Sequence, residues 1–230
     1  VVKIDTADGH IVWRSEPESG GIFGASMGAS AFSSPVIAEL TGHRQLVVQS
    51  RKSLSGIDLQ TGRRLWSTDV EAFRGMNILT PTVIGNTVFT STYGGGTFLY
   101  EVSRTSDGFD VRERWNTSKQ GYMSSPVLVD GRVYLHLRNQ RFSCVDPETG
   151  DTAWTTRPFG KYWSIAANNS RLLALDQRGT LHLIVAAPEE YRELSSRQVS
   201  ESETWAHLAA ADQQLFIREL DGLTAWDWHD

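Results

Sequence analysis

The chain has 230 residues, 40% of them hydrophobic, 21% charged and 10% aromatic, with eight Trp and a formal net charge of -5. These proportions sit near globular averages and exclude a disordered segment or a coiled coil, while the acidic balance leaves no cationic excess to displace counterions from a nucleic-acid backbone. The single cysteine, Cys144, excludes an internal disulfide framework and a cysteine zinc cluster, and no apolar run is long enough to span a membrane as a helix.

The first predicted element is a hairpin, Ile4-Asp5-Thr6-Ala7-Asp8-Gly9-His10-Ile11-Val12-Trp13, and the chain opens on Val1 directly inside it, as a processed or truncated piece would. Its phrase returns as Ile57-Asp58 through Gly62 to Trp66, and again as Val145-Asp146 through Gly150 to Trp154. In each copy a branched apolar residue and an Asp end one strand. A Gly then closes the turn, and a Trp follows four residues later. Asp bonds the turn amides ahead of it and Gly accepts positive φ without a Cβ clash, so each copy predicts a bulged hairpin. One hairpin cannot bury an indole alone, so neighbouring repeats must stack to do it.

A second phrase opens each repeat: Ser33-Ser34-Pro35-Val36, Leu79-Thr80-Pro81-Thr82-Val83 and Ser124-Ser125-Pro126-Val127. Its prolines recur at intervals of about 45 residues, within the range of propeller blades. Residues 124–157 show four strand signals best: Ser125–Val129, an Asp130-Gly131 turn, Val133–Leu137, Phe142–Asp146, the Thr149-Gly150 turn and Thr152–Thr156. Equivalent turns fall at Gly85-Asn86, Asn168-Asn169 and Asp212-Gln213. In the repeat after residue 80 a longer turn through Asp107-Gly108 precedes Trp115, and in the repeat after residue 164 Leu194 is expected to hold the Trp position behind a Pro188-Glu189-Glu190 turn. No window keeps a helical period.

These elements predict an all-β fold, a β-propeller of four-stranded antiparallel blades forming a single domain over residues 1–230. Partial blades are expected near 1–16 and 205–228, and full blades near 33–69, 80–118, 124–157 and 164–199. That is five to six blades and 21 strands, one more than five blades of four require. Ile11–Arg14 could supply the outer strand of the last blade, but Val1–Asp5 would then be surplus. The preferred reading is therefore a fragment of a longer, seven- or eight-bladed parent.

At these residues the chain resembles the quinoprotein-type β-propeller family with its PQQ-like repeats, which includes pyrroloquinoline-quinone dehydrogenases and non-catalytic relatives such as the outer-membrane assembly lipoprotein propeller. The resemblance covers nearly all 230 residues, with three good copies of the phrase. It implies that Asp5, Gly9 and Trp13, Asp58, Gly62 and Trp66, and Asp146, Gly150 and Trp154 form a structural docking motif. It also implies a bacterial, periplasmic or otherwise exported protein. A quinone dehydrogenase needs Ca²⁺ ligands, an Asp base and cations for the cofactor. The disulfide of adjacent cysteines that such enzymes often place against the quinone is impossible with Cys144 alone. PQQ with Ca²⁺ is expected only under the alternative of a dehydrogenase fragment oxidising an alcohol or sugar, and no catalytic residue or metal ligand is assigned. The six histidines lack metal-ligand spacing, and Gly94-Gly95-Gly96 lacks the Lys and helix of a phosphate loop.

In a propeller the loop entering each blade and the loop between its second and third strands emerge on one face. The entering loops carry Phe23 and Met27, Phe73 and Met76, Tyr122 and Met123, Tyr162 and Trp163, and Trp205; the second-to-third-strand loops carry Arg51 and Lys52, Tyr93, Arg138 and Arg141, and Arg178. An acidic chain would thus present a cationic, aromatic rim. Arg forks suit carboxylates and exposed aromatics suit peptides, so the expected function is a non-enzymatic scaffold that binds a protein segment or an anionic small ligand.

Overall fold

A computed structural model describes residues 1–15 and 32–228. Phe23 and Met27 lie outside the described residues. Among the described residues, twenty-one strands form six antiparallel meanders, grouped two, four, four, four, four and three. β1 (Val2–Ile4) pairs with β2 (Ile11–Arg14). β3 (Val36–Leu40), β4 (His43–Gln49), β5 (Ser53–Asp58) and β6 (Arg64–Asp69) form the first four-stranded sheet. A 3₁₀ turn at Phe73–Gly75 leads to β7 (Thr82–Ile84), β8 (Thr87–Thr92), β9 (Gly96–Thr105) and β10 (Gly108–Thr117). The third full sheet holds β11 (Val127–Val129), β12 (Arg132–His136), β13 (Arg141–Val145) and β14 (Thr152–Pro158). The fourth holds β15 (Trp163–Asn168), β16 (Arg171–Asp176), β17 (Thr180–Val185) and β18 (Arg192–Gln198), and the last has β19 (Ala209–Ala211), β20 (Gln214–Arg218) and β21 (Leu223–Asp227). By chain contacts the molecule divides into two compact units, residues 1–120 and 121–230.

The repeated phrase builds the same turn each time. The amides of Gly9, Gly62 and Gly150 donate to the carbonyls of Asp5, Asp58 and Asp146 at 2.8–2.9 Å, and the amides of those three Asp close the hairpin onto His10, Arg63 and Asp151. Asp58 Oδ1 also accepts the Thr61 amide (2.8 Å), the Thr61 hydroxyl (2.9 Å) and the Gln60 amide (3.0 Å). These bonds, led by the Thr61 amide, hold its pKa down at about 2. The same carboxylates reach across the sheet to the first residue of the second strand. His43 Nε2 lies 3.1 Å from Asp58, and Arg132 forms an ion pair with Asp146. Gln214 Nε2 donates to Asp227 Oδ1 at 2.8 Å, so Asp227 fills the same place at the end of β21. The sequence reading missed that copy because it rested on the full phrase, whose Gly and Trp positions would lie past residue 230.

Every hairpin between a third and a fourth strand has an irregular register at the same point. Pairing shifts between Lys3 and Ile4, Gly56 and Ile57, Glu113 and Trp115, Cys144 and Val145, and Leu183 and Ile184. Such a bulge adds one residue to the fourth strand and re-aims the next side chain. That side chain is Trp13, Trp66, Trp115 or Trp154 in four cases. In β18 it is Ser195, which pairs with Leu183, while Leu194 is the bulged residue and is 43% exposed. Leu194 therefore does not hold the Trp position. The bulge shifts the count by one, and sequence spacing alone does not reveal it.

The indoles are anchored by polar as well as apolar contacts. Trp13 Nε1 donates to the Leu59 carbonyl of the following repeat at 3.1 Å. A Cβ on Gly62, whose φ is +72°, would come within 2.6 Å of the Trp13 ring. Trp154 Nε1 donates to the Ala187 carbonyl of the following repeat at 2.9 Å, and its ring packs 5.6–6.0 Å from Phe142, Tyr134 and Tyr191. Trp66 differs: it is buried against Val88, Tyr100 and Val102 of the following sheet, yet its Nε1 turns back to Gln45 Oε1 of its own sheet at 2.6 Å. The following hairpin there is the long β9–β10 ribbon, which lacks the Asp-to-Gly turn.

The core of the second unit contains a ring stack. Trp163 lies 5.7 Å from His136 and 5.4 Å from His182, with interplanar angles of 11° and 28°. His182 is buried between Asp176 (3.3 Å) and Glu193 (3.1 Å). Burial opposes its charging, but hydrogen bonds to these carboxylates outweigh burial and raise its pKa. His136 has no such partner, and burial pushes its pKa down to about 4, against a weak pull from the Gln140 and Gly160 carbonyls.

Two outcomes follow from these contacts. Trp154→Ala should destabilise the second unit by about 3 kcal/mol, in line with large-to-small core losses; a chemical-denaturation midpoint equal to that of the parent would reject the seam role. For His136, the unfolded imidazole takes a proton near pH 6.5 whereas the folded one resists down to about pH 4. Stability tied to this residue is therefore intact above pH 6.5 and falls as pH drops toward 4. His136→Phe should keep the stack and flatten that acid arm of the melting-temperature profile; parallel profiles for parent and variant would show that His136 does not titrate this way.

Candidate functional site

Within each unit, the loops entering the sheets meet the loops between second and third strands. In the first unit the Lys52 carbonyl accepts the Val70 amide (2.7 Å), and Asn77 Nδ2 donates to the Ser50 and Arg51 carbonyls (2.9 and 3.2 Å). The Phe73 amide donates to the Tyr93 carbonyl (2.7 Å), and Gln120 accepts the Gly94 amide (3.0 Å). In the second unit the Phe159 amide donates to the Gln140 carbonyl (2.8 Å), and Gln177 accepts the Lys161 amide (2.9 Å) and donates to Glu203 (2.9 Å). Buried Thr204 donates its hydroxyl to the Asp176 carbonyl at 2.5 Å. These bonds cross-link consecutive loops into one continuous loop face in each unit.

Each unit displays an aromatic pair there. Phe73, half exposed, meets the Tyr93 ring edge-on at 5.6 Å, with the Arg74 guanidinium 5.2 Å from the Phe73 ring. Tyr162 and Trp205 stack at 4.8 Å and 26°; Trp205 is half exposed and its Nε1 donates to Glu203 at 2.9 Å. Exposed Lys161 precedes Tyr162 in its loop, and exposed Arg178 lies in the loop that Gln177 ties to Lys161 and Glu203.

The sequence-derived rim residues fall into three groups. Lys52, Arg138, Arg178 and Trp205 are exposed, and Tyr93 and Tyr162 are half-buried members of the ring pairs. Arg51 and Arg141 hold the loops: Arg51 donates to the Arg74 carbonyl (2.7 Å) and Arg141 to the Thr156 carbonyl (2.6 Å). Trp163 is 2% exposed and forms the middle of the histidine stack, so it is a core residue. It is the first residue of β15, where the side chain has already turned inward, whereas Tyr162 one position earlier faces out. Phe73 and Arg74 complete the first unit's pair; an arginine flanking an aromatic in an entering loop was the readable signal for Arg74.

Asp5, Asp8 and His10 are the one group of potential metal ligands brought together among the described residues. Asp5 Oδ1 already accepts the Ala7 amide (2.8 Å), and Asp8 Oδ1 accepts the His10 amide (3.0 Å) and faces its ring nitrogen. Turn geometry accounts for the cluster. No helix among the described residues is long and apolar enough to cross a membrane.

No curated protein sequence matches the chain. Among solved structures, BamB from Moraxella catarrhalis superimposes with a TM-score of 0.71 over 99% of this chain at 14% identity, and this chain spans 66% of that one. The Cps50 (Swd1) β-propeller domain of Myceliophteria thermophila gives 0.64 over 98% of this chain and 75% of its own at 10% identity, and the computationally designed Ika8 protein gives 0.54 over 83% and 57% at 11%. These likenesses show the fold: an all-β propeller of about five blades. Residues 1–156, which hold all three complete copies of the Asp–Gly–Trp phrase, match the family described as Outer membrane protein assembly factor BamB, and the chain belongs to that family of PQQ-like-repeat propellers.

Proposed function

We propose that the chain is a binding propeller whose loop face docks a polypeptide segment, in a bacterial protein exported to the cell envelope. The observation that carries this reading is the exposed ring pair in each unit, Phe73 with Tyr93 and Tyr162 with Trp205, each accompanied by loop cations. Exposed aromatics beside Arg and Lys are the anchors that protein interfaces use most. A polypeptide fits better than an anionic small molecule. The cations stand on separate loops, and Arg51 and Arg141 each already donate to a main-chain carbonyl of their own unit. The envelope location and protein-assembly context rest on the family's description. Among the described residues, the carboxylates near histidine are engaged in turns or in the buried His182 network, a donor set that does not suit a Ca²⁺-bound quinone.

The rings are expected to supply most of the affinity. A photo-crosslinking residue at position 178 should trap a partner from an envelope fraction, and Tyr162→Ala with Trp205→Ala should cut that yield at least about tenfold, as loss of one strong anchor does. The melting midpoint should stay near that of the parent, since both rings are at the surface. Undiminished crosslinking to the same partner by the double variant would remove the loop face from the interaction.

A further inference from the structure

In the first unit the loop-face segments 50–52, 70–81, 93–95 and 118–120 carry Arg51, Lys52, Arg74 and Lys119 against the single acid Glu71, although the chain as a whole has a net charge of -5. Two of these loops interlock. The Arg51 guanidinium donates to the Arg74 carbonyl at 2.7 Å, a Cβ on Gly75 would lie 2.9 Å from that of Arg51, and the Lys52 carbonyl accepts the Val70 amide. Elsewhere the chain balances neighbouring arginines with carboxylates: Glu101 receives both Arg112 and Arg114, and Asp146 receives Arg132. Lys52 and Arg74 are in no ion pair among the described residues. Like charges gathered on interlocked loops repel one another, and a bound anion would relieve that.

Arg74 is also held in a left-handed backbone conformation, with φ +53° and ψ +25°. Thr41, Asp130, Asn169 and Asp212 share that sign of φ, but each opens a two-residue hairpin turn that demands it. Arg74 closes no hairpin. Glycine would adopt this φ without a Cβ penalty, as Gly75 does at +68°. The reason for an arginine here is therefore its side chain. The guanidinium lies 5.2 Å from the half-exposed Phe73 ring, which in turn meets Tyr93 edge-on. Charge and apolar surface are thus presented side by side.

We propose that this face of the first unit captures an acidic polypeptide segment, whose carboxylates meet Arg74 and Lys52 while an adjoining apolar side chain packs on Phe73 and Tyr93. The inference rests on the loop-face reading above and narrows the partner for the first unit. A guanidinium holds a carboxylate through two parallel hydrogen bonds, and a neighbouring ring keeps water from the pair. An anionic lipid surface fits less well. Exposed Glu71 stands in the same entering loop as Phe73 and would face any continuous layer of negative charge. A polypeptide can space its carboxylates around it.

Fluorescence anisotropy would follow the labelled peptide Gly-Asp-Glu-Phe-Asp-Glu-Gly as it is titrated into the full chain. Saturable binding tighter than about 1 mM is expected, weakening as salt screens the charges. Changing the acidic residues of the peptide to Asn and Gln should weaken binding at least about tenfold, the scale of a lost anchor. Asn tolerates the left-handed region and carries no charge. Arg74→Asn should therefore cost at least about tenfold in affinity, with a melting midpoint at or above that of the parent. If that variant lowers the midpoint, Lys52→Gln decides at an exposed side chain, with an expected loss of about threefold. Equal binding of the neutral peptide, or unchanged affinity in the deciding variant, would overturn the proposal. So would phosphatidylglycerol vesicles whose binding Arg74→Asn abolishes while peptide affinity holds, because the occupant would then be a membrane. Crosslinking from position 178 reports separately on the loop face, so loss of peptide binding alone removes only the acidic partner.

Discussion

The bulge that precedes each fourth-strand tryptophan is the constraint from which the rest of the structure follows. A regular antiparallel ladder would send successive side chains to alternate faces and leave the indole's direction to strand length. One extra residue, placed beside the Asp-to-Gly turn, instead fixes where the ring points. The turn then serves two repeats at once. Its Asp accepts the local amides and ties the second strand of its own sheet, and it holds in place the Leu59 carbonyl that receives Trp13 from the preceding repeat. Without the bulge the ring would miss that acceptor; without the turn the acceptor would not be presented.

Much of the fold was legible because this device is local. Asp, Gly and Trp sit within nine residues of one another, and each is explained by φ, capping or ring volume without knowledge of distant chain. The strand count and the six-sheet grouping followed from turn residues for the same reason. The errors arose where local reading met a through-space effect. Leu194 was placed one residue away from the position it was thought to hold, since the bulge in β18 is visible only in the pairing of Leu183 with Ser195 and Ile184 with Glu193. Trp163 and Tyr162 are neighbours in sequence, and only the start of β15 separates a buried ring from an exposed one. Arg141 is expected from its loop to be a rim cation, whereas its Nη1 donates to the Thr156 carbonyl across the hairpin.

The loop face illustrates how function can be separated from fold. Its loops are fixed largely by main-chain groups and by buried polar side chains, including Asn77, Thr92 and Thr204, whose bonds end on neighbouring carbonyls. Buried groups of that kind are costly to leave unpaired, so they tolerate little change. Phe73, Lys161, Arg178 and Trp205 lie above this layer and carry little of the fold. A scaffold of this design can keep its loop geometry while its surface residues change, so the phrase identifies the family without specifying what the exposed side chains contact.

The histidine stack shows that the layer beneath the loops is also electrically asymmetric. Asp176 receives the amides of Arg178 and Thr180 on one oxygen and faces His182 with the other, so the turn carrying Arg178 and the buried His182 contact depend on the same carboxylate. On the far side of Trp163, His136 lies near the Gln140 and Gly160 carbonyls, in the two loops that the Phe159 amide joins. Protonation favours the arrangement around His182 and opposes burial at His136. Acid therefore strains the stack from one side only, and it does so next to the loops that position Tyr162. Any pH effect on binding at that ring pair should thus arise from the buried imidazoles below it.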